Sequence, residues 1–359
     1  MVAKISLNKF SNLSVSDRQA WDTLQRENQN LHSPYFSYDF QNVVNAVRGD
    51  VEVLRFADAN GKAIGFLPFR RNFMRMARPT AGPMDDLHGV ISAADADICF
   101  DADEVSKLIG GYSFSAVPAQ QFQFGLKGFA GDGNYVLDLS NGFDAYIESR
   151  SEASSNFRRA WRKAEKLLKT DGVTVQHDIW DEAVFERMIE LKRDALAEAG
   201  HFDLFSIEWP KELLEELHHR NLNGARGVLS TLQIDGEVAA ICYCMRSENV
   251  LHYWFPSYEP RFQKQQPGMA LLFSLAEWAS HEGMTEFHLG QGDVQYKRLM
   301  ASFIAPMRHG MVEVSVPNRI LGAVGELSYK LDGRGKLLSL PAKALRKWER
   351  VALFGTVRA

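Results

Sequence analysis

The sequence predicts a mixed α/β protein built on two related, largely antiparallel sheets. Three observations predict it. The chain has 359 residues, more than twice a domain of about 150 residues. Two apolar strand pairs flank the turn dipeptides Asn60-Gly61 and Asp235-Gly236, which lie 175 residues apart, close to half the chain. Around them, segments with helical period alternate with short apolar runs. Similar hairpins at half-length spacing point to a duplicated domain.

The elements follow in order. A helix is expected over residues 16–28 behind a serine cap, and another over 38–47. Asn60-Gly61 then predicts a type I′ hairpin, because that turn needs positive φ at both central residues. In the second half, helices are expected over 143–149 and 154–169, a strand over 173–177, a strong amphipathic helix over 181–199, and a helix over 209–220. The Asp235-Gly236 hairpin follows, then a strand over 250–258, a helix over 268–282 and a strand over 286–289. A turn over 290–293 leads to a helix over 294–303 and a closing strand over 310–316. The expected division is residues 1–140, 141–316 and a tail, 317–359.

Composition narrows the class. Apolar residues make up 45% and charged residues 24%, which excludes a disordered chain. The net charge of −4 gives no general case for a nucleic-acid binder, and no DNA partner is expected. Charge is local instead. Residues 319–359 carry +6, the rest −10, and residues 154–169 alone carry +5. Cys99, Cys242 and Cys244 form no disulfide framework, and the last two read as buried thiols on a strand. The opening MVAKISLNKF lacks the apolar run of a signal peptide, and residues 268–279 are too short to span a bilayer. A cytoplasmic protein is expected.

The segment Lys264-Gln265-Gln266-Pro267-Gly268-Met269-Ala270 joins a strand to a long helix. Backbone N–H groups at such a helix start bind phosphate, and the helix dipole favours the anion. Gly268 admits a close approach. The bland alternative is an ordinary helix start with Pro267 in its first turn.

The order Gln-x-x-Gly-x-Ala, at Gln265, Gly268 and Ala270, resembles the pyrophosphate loop of the GNAT acyltransferases. The stretch FHLGQGDVQYKRLMASF resembles the Gly-x-Gly-Asp-x-x-Tyr-Lys segment of the tandem-GNAT, Fem-like branch linked to bacterial polysaccharide and envelope biosynthesis. The likeness runs over residues 30–316. It is strong over 240–303 and faint before 140. It implies two GNAT-like domains in tandem, with acyl-CoA as co-substrate and no metal. Gln265, Gly268, Met269 and Ala270 would hold the coenzyme A diphosphate. The first domain lacks this loop and would serve as scaffold or acceptor side.

The reaction needs a base for the amine, a donor for the oxyanion and a proton for the leaving thiolate. Tyr296 matches the family's acid. Asp293 would orient a base or accept from the amine, or merely cap the next helix. His252 is a candidate base or a satisfied polar residue of the sheet. His288 stands where related proteins usually carry Asp, and is a candidate base or acceptor ligand. Lys297 would hold a phosphate or acceptor carboxylate, or is part of a surface pair. Arg159 and Arg162, with Lys163 and Lys166, share one helix face that would grip a phosphorylated acceptor or is simply solvated. Asp85, Asp86 and His88 lack a fourth metal ligand at sensible spacing and read as a loop cap.

In the tail, Leu337, Leu340, Ala344, Trp348, Val351 and Ala352 recur at helical spacing beside Lys343, Arg346, Lys347 and Arg350. A basic amphipathic helix of this kind fits an anionic membrane surface. Docking on the protein body or on a second copy fits equally. The membrane reading would place the protein peripherally at the inner face of the inner membrane.

The resulting expectation is an acyl-CoA-dependent N-acyltransferase acting by direct attack on a small-molecule or lipid-linked amine. The rivals are a Fem-type transferase using aminoacyl-tRNA, which the intact loop disfavours, and a non-catalytic ligand-binding regulator.

Overall fold

The computed structural model describes residues 4–72, 75–100, 103–126 and 128–313. The tail expected over 317–359 lies outside the described residues. The first half of the chain runs β1 (Lys4–Lys9), α1 (Val15–Glu27), α2 (Tyr38–Arg48), β2 (Glu52–Ala57), β3 (Ala63–Arg71), β4 (Met76–Arg78), β5 (Ile91–Ser92), α3 (Asp103–Leu108), β6 (Gly111–Pro118) and β7 (Phe129–Ala130). Next come β8 (Asn134–Asp138), α4 (Phe143–Ala153), α5 (Ser155–Leu168), β9 (Val173–Ile179), α6 (Glu182–Glu198), α7 (Glu208–His219), β10 (Arg226–Ile234), β11 (Glu237–Arg246) and β12 (Val250–Tyr258). The chain then forms α8 (Pro267–His281), β13 (Glu286–His288), α9 (Gln295–Met300), β14 (Phe303–Ala305) and β15 (Met307–Glu313).

Local chemistry sets the helix starts. Ser14 caps α1 by accepting from the Asp17 amide while Asp17 accepts from the Ser14 amide, a reciprocal pair. Ser154 and Asp181 cap α5 and α6 with one-way bonds, each accepting from the amide three residues on.

Two compact units result. The first holds residues 41–131 and 307–313 among others, with the strand order β1-β2-β3-β4-β6-β15-β7 and β5 beside β3. The second holds residues 32–40 and 132–306, with the order β9-β10-β11-β12-β13-β8-β14. The two orders agree position by position. Each begins with antiparallel neighbours, and β4–β6 and β12–β13 are the parallel steps. An antiparallel strand, β15 or β8, then follows. The expected duplication is present, and both hairpins join the second strand to the third.

The division differs from the expected contiguous one. β8 precedes residue 140, yet it is inserted between β13 and β14. β15 falls within 141–316, yet it is inserted between β6 and β7. Backbone pairing, not chain order, assigns each strand to its sheet.

The two turns also differ. Asp235 and Gly236 have φ of 53° and 79°, the two positive values of a type I′ turn. At the first hairpin only Gly61 has positive φ, 83°. Asp58 reshapes that loop, because its carboxylate accepts from the Asn60 and Lys62 amides at 2.9 and 3.0 Å. Among the described residues, no helix is long and apolar enough to cross a membrane.

In the second unit, α8 packs on one sheet face with Leu251, Tyr253, Cys242, Cys244 and Phe287 in its core. The buried stripe of α6 (Val184, Phe185, Met188, Ile189) meets the other face, where Phe185 approaches Tyr243. Cys242 and Cys244 are buried free thiols, as expected.

Candidate active site

The site begins where two strands part. β12 and β13 pair over Val250↔Glu286, Leu251↔Phe287 and His252↔His288, and no further. β12 runs on to Tyr258, so those of its later amides that turn away from β11 have no strand to meet. A bulge sits at the parting point. Tyr243 opposes Phe255 and Cys244 opposes Tyr253, which leaves Trp254 as the extra residue. Beyond it, Phe255 and Ser257 share the face of Tyr243 and Ile241, while Pro256 and Tyr258 share the face of Cys242 and Ala240.

The expected phosphate loop follows β12 directly. Gln266 stands just before α8 with φ 57° and ψ 49°, a left-handed conformation that costs a non-glycine residue about 1–2 kcal/mol. Strain of this kind clusters at functional loops. Pro267 has no N–H, and the Met269 and Ala270 amides turn back onto the Gln266 carbonyl at 3.1 and 3.3 Å. The Gly268 amide therefore remains as the outward donor of the first turn. A methyl group added at Gly268 would meet only the Tyr258 ring, at 3.8 Å. Gln265 is exposed, Met269 is half-buried and Ala270 is buried.

The basic face of α5 lies beside this loop. Phe157 and Trp161 pack against Phe273 of α8, and Lys163 Nζ donates to the Lys264 carbonyl at 3.3 Å. Arg159, Arg162, Lys163 and Lys166 are all exposed. One cationic row thus borders the Gly268 turn.

The candidate catalytic residues fall into two groups. Tyr296 is half-buried against Tyr253, on the α8 face. Asp293 follows β13 in the loop before α9 and accepts from the Tyr135 hydroxyl at 2.9 Å. Arg298 also pairs with it, at 3.2 Å. It does not cap α9, whose capping position is Val294. Burial and the Tyr296 ring's neighbourhood help push the Tyr253 hydroxyl well above its usual range, desolvation being the larger cause.

His252 and His288 sit on the opposite face. His252 is fully buried and meets the Tyr35 ring edge-on at 5.0 Å. His288 is buried, with Nε2 at 2.7 Å from Glu286. Lys297 is buried as well, and its ammonium donates to the Gln291 carbonyl. It therefore shapes the loop of Gly290 and Gly292, whose φ values are 74° and 97°.

In the first unit, the Asp85 carboxylate accepts from the Ala81 amide at 2.7 Å, and His88 Nε2 accepts from the Ser115 and Ala116 amides. These are the loop caps expected of them. Sequence reasoning missed two residues of the second unit, Lys192 and Ser257. A lysine on an amphipathic helix reads as solvated, and nothing around Ser257 marks it.

Known proteins share this fold. The family model described as "Acetyltransferase (GNAT) domain" matches residues 151–298. No curated protein matches the chain. The solved structure of FemX superposes with a TM-score of 0.60 at 10% identity, covering 89% of this chain and 99% of that one. The C-terminal domain of a putative lysylphosphatidylglycerol synthetase from Agrobacterium fabrum gives 0.51 at 12% identity, covering 86% and 94%. At such identities the likeness is one of fold. Residues 151–298 match the GNAT acetyltransferase domain, and the chain as a whole shares the fold of FemX.

Proposed function

We propose that the chain moves an acyl group from acyl-CoA to an amine of a cell-envelope precursor, either an amino sugar of a polysaccharide or an amino lipid. The parting of β12 from β13 beside the Gly268 turn carries this reading. The turn and the cationic row of α5 suit the diphosphate. The β12 amides beyond the end of its pairing with β13 suit the thioester carbonyl, whose oxygen gains negative charge during attack. The amine nitrogen bonds to the carbonyl carbon, the C–S bond breaks, and an amide and a thiol result. Tyr296 supplies the thiolate proton, and the proton lost by the amine returns through water. Lys297 acts as a positioning residue for the loop that presents Asp293. The buried His252 serves the sheet, and His288, held by Glu286, borders the acceptor side.

The envelope acceptor draws support from the fold likeness to a protein named for lysylphosphatidylglycerol synthesis. The basic segment 317–359 would hold the enzyme at an anionic bilayer, and flotation with anionic vesicles, reduced at high salt, tests that. The exposed row of Arg159, Arg162 and Lys166 favours a second reading, transfer from an aminoacyl-tRNA whose phosphates cross the same face.

Titration calorimetry with coenzyme A on the full chain tests the donor. The expected result is one saturable site. Absence of heat with coenzyme A, together with binding of aminoacyl-tRNA, overturns the first reading in favour of the second.

A further inference from the structure

Lys192 is a cation without a counterpart. It follows Phe185, Met188 and Ile189 by seven, four and three residues, so it extends their buried stripe on α6. It is half-buried. Among the described residues, its ammonium has neither an ion-pair nor a hydrogen-bond partner. The neighbouring α6 cations differ. Arg187 holds both oxygens of Glu259 at 2.6 and 3.0 Å, and Arg193 holds Asp203 at 2.8 Å.

The helix that carries Lys192 is fixed over the parted stretch of β12. The Arg187–Glu259 pair fixes α6 to the end of that strand. Phe185 meets Tyr243, the register partner of Phe255. Burial pushes the Lys192 ammonium down to about 8. At neutral pH it is still mostly charged.

A second unpartnered group lies on the same face. The Ser257 hydroxyl is buried and has no hydrogen-bond partner. It shares the face of Ile241 and Tyr243, toward α6 and away from α8. A buried hydroxyl left unpaired is costly, and the Lys192 ammonium, which reaches solvent, has no partner among the described residues. An oxyanion can accept from an ammonium and a hydroxyl at once.

We propose that Lys192 and Ser257 form the anion-recognition end of the acceptor site and bind a carboxylate or phosphate of the amine substrate on the sheet face opposite α8. This rests on the reading of the parted strand as the site of acyl transfer. The donor would enter beside α8 and the acceptor from the α6 side, so the two substrates meet across the gap next to β12. Lys192 and Ser257 are specificity residues here. Neither takes part in bond making.

The test uses the full chain with its lysines reductively methylated with ¹³C, observed by NMR. The Lys192 signal is the one absent from Lys192→Arg. Sodium phosphate and sodium acetate are titrated separately at constant ionic strength. The expected result is a saturable upward shift of the Lys192 pKa with one anion, while exposed lysines do not respond. Saturation by phosphate identifies a phosphoryl acceptor, and saturation by acetate a carboxylate. Ser257→Ala should weaken that anion roughly tenfold. If Lys192 responds to neither anion more than surface lysines do, the proposal is wrong. Coenzyme A calorimetry separates the two readings. A silent Lys192 in a protein that binds coenzyme A removes only the acceptor site, and a responsive Lys192 in one that does not removes only the donor reading.

Discussion

The Tyr135 hydroxyl donates to Asp293 Oδ1 at 2.9 Å, joining β8 to the loop that precedes Tyr296. The bond to this carboxylate is the largest cause holding the Tyr135 hydroxyl above its ordinary pKa, so it stays a donor throughout the working pH range. Tyr135→Phe should release the loop. Acyl transfer is expected to slow roughly five- to tenfold, with coenzyme A affinity unchanged. Steady-state rates combined with calorimetry check this, and a loss of affinity instead would mean that the bond supports the donor site.

Tyr296→Phe removes the proposed acid while keeping the ring against Tyr253. An interaction made mainly in the transition state lowers the rate without altering donor binding. A loss of about 10²-fold in turnover is expected. Full turnover in the variant would assign the proton to water.

Gly268 has room for a methyl group, since among the described residues only Tyr258 lies within reach. Gly268→Ala should therefore fold normally and bind coenzyme A only modestly less well. Gly268→Asp adds a carboxylate beside the outward amide, and should abolish binding through charge repulsion. Equal affinities for the two variants would show that no phosphate sits there.

Gly227 has a different kind of neighbour. A side chain there would overlap the Tyr243 hydroxyl, which donates to the Leu214 carbonyl from a fully buried ring. Gly227→Ala should destabilise the second unit by about 2–5 kcal/mol, combining overpacking with a broken buried hydrogen bond. Urea denaturation measures it. A change under about 0.5 kcal/mol, the level of a neutral surface substitution, would mean that Tyr243 moves aside freely.

Asp85 predicts a pH dependence. Burial pushes its carboxyl up to about 7, although the hydrogen bond from Ala81 opposes this. The unfolded chain releases this proton near 4, so the folded state binds it more tightly between the two values. Its contribution to stability is full below about pH 4 and is lost as pH rises toward 7. Asp85→Asn should therefore gain stability relative to wild type as pH rises from 4 to 7. Melting curves at both ends check the sign. His88 works in the reverse sense, because burial lowers it to about 3 and its contribution fades as pH falls below about 6.5.

Much of the second unit was legible because its signals are local. Ser154 and Asp181 announce their helices, Asp235-Gly236 announces its turn, and β12 has its expected ends. What escaped was decided by distant pairing or by burial. β1, β8 and β14 are short and gain their identity only from neighbours in the sheet. Asn60-Gly61 misled because Asp58 offers the loop its own hydrogen bonds. Lys297 reads as a surface residue in sequence, yet α9 turns it inward to the Gln291 carbonyl. The cap expected of Asp293 gave way to a tyrosine 158 residues earlier.

The placement of β15 governs how the protein can be made. While the ribosome has produced only the first half, β6 and β7 have an empty lane between them, edged by unpaired amides and carbonyls. The strand that fills it emerges about 180 residues later, a delay of roughly 10–35 s at 5–20 residues per second. A nascent first unit is thus exposed to foreign strands for the whole time its companion is being synthesised. β8, by contrast, waits in advance for a sheet not yet translated. Maturation of both halves becomes a single late event, and messages cut short before residue 307 should yield chains that recruit chaperones or aggregate.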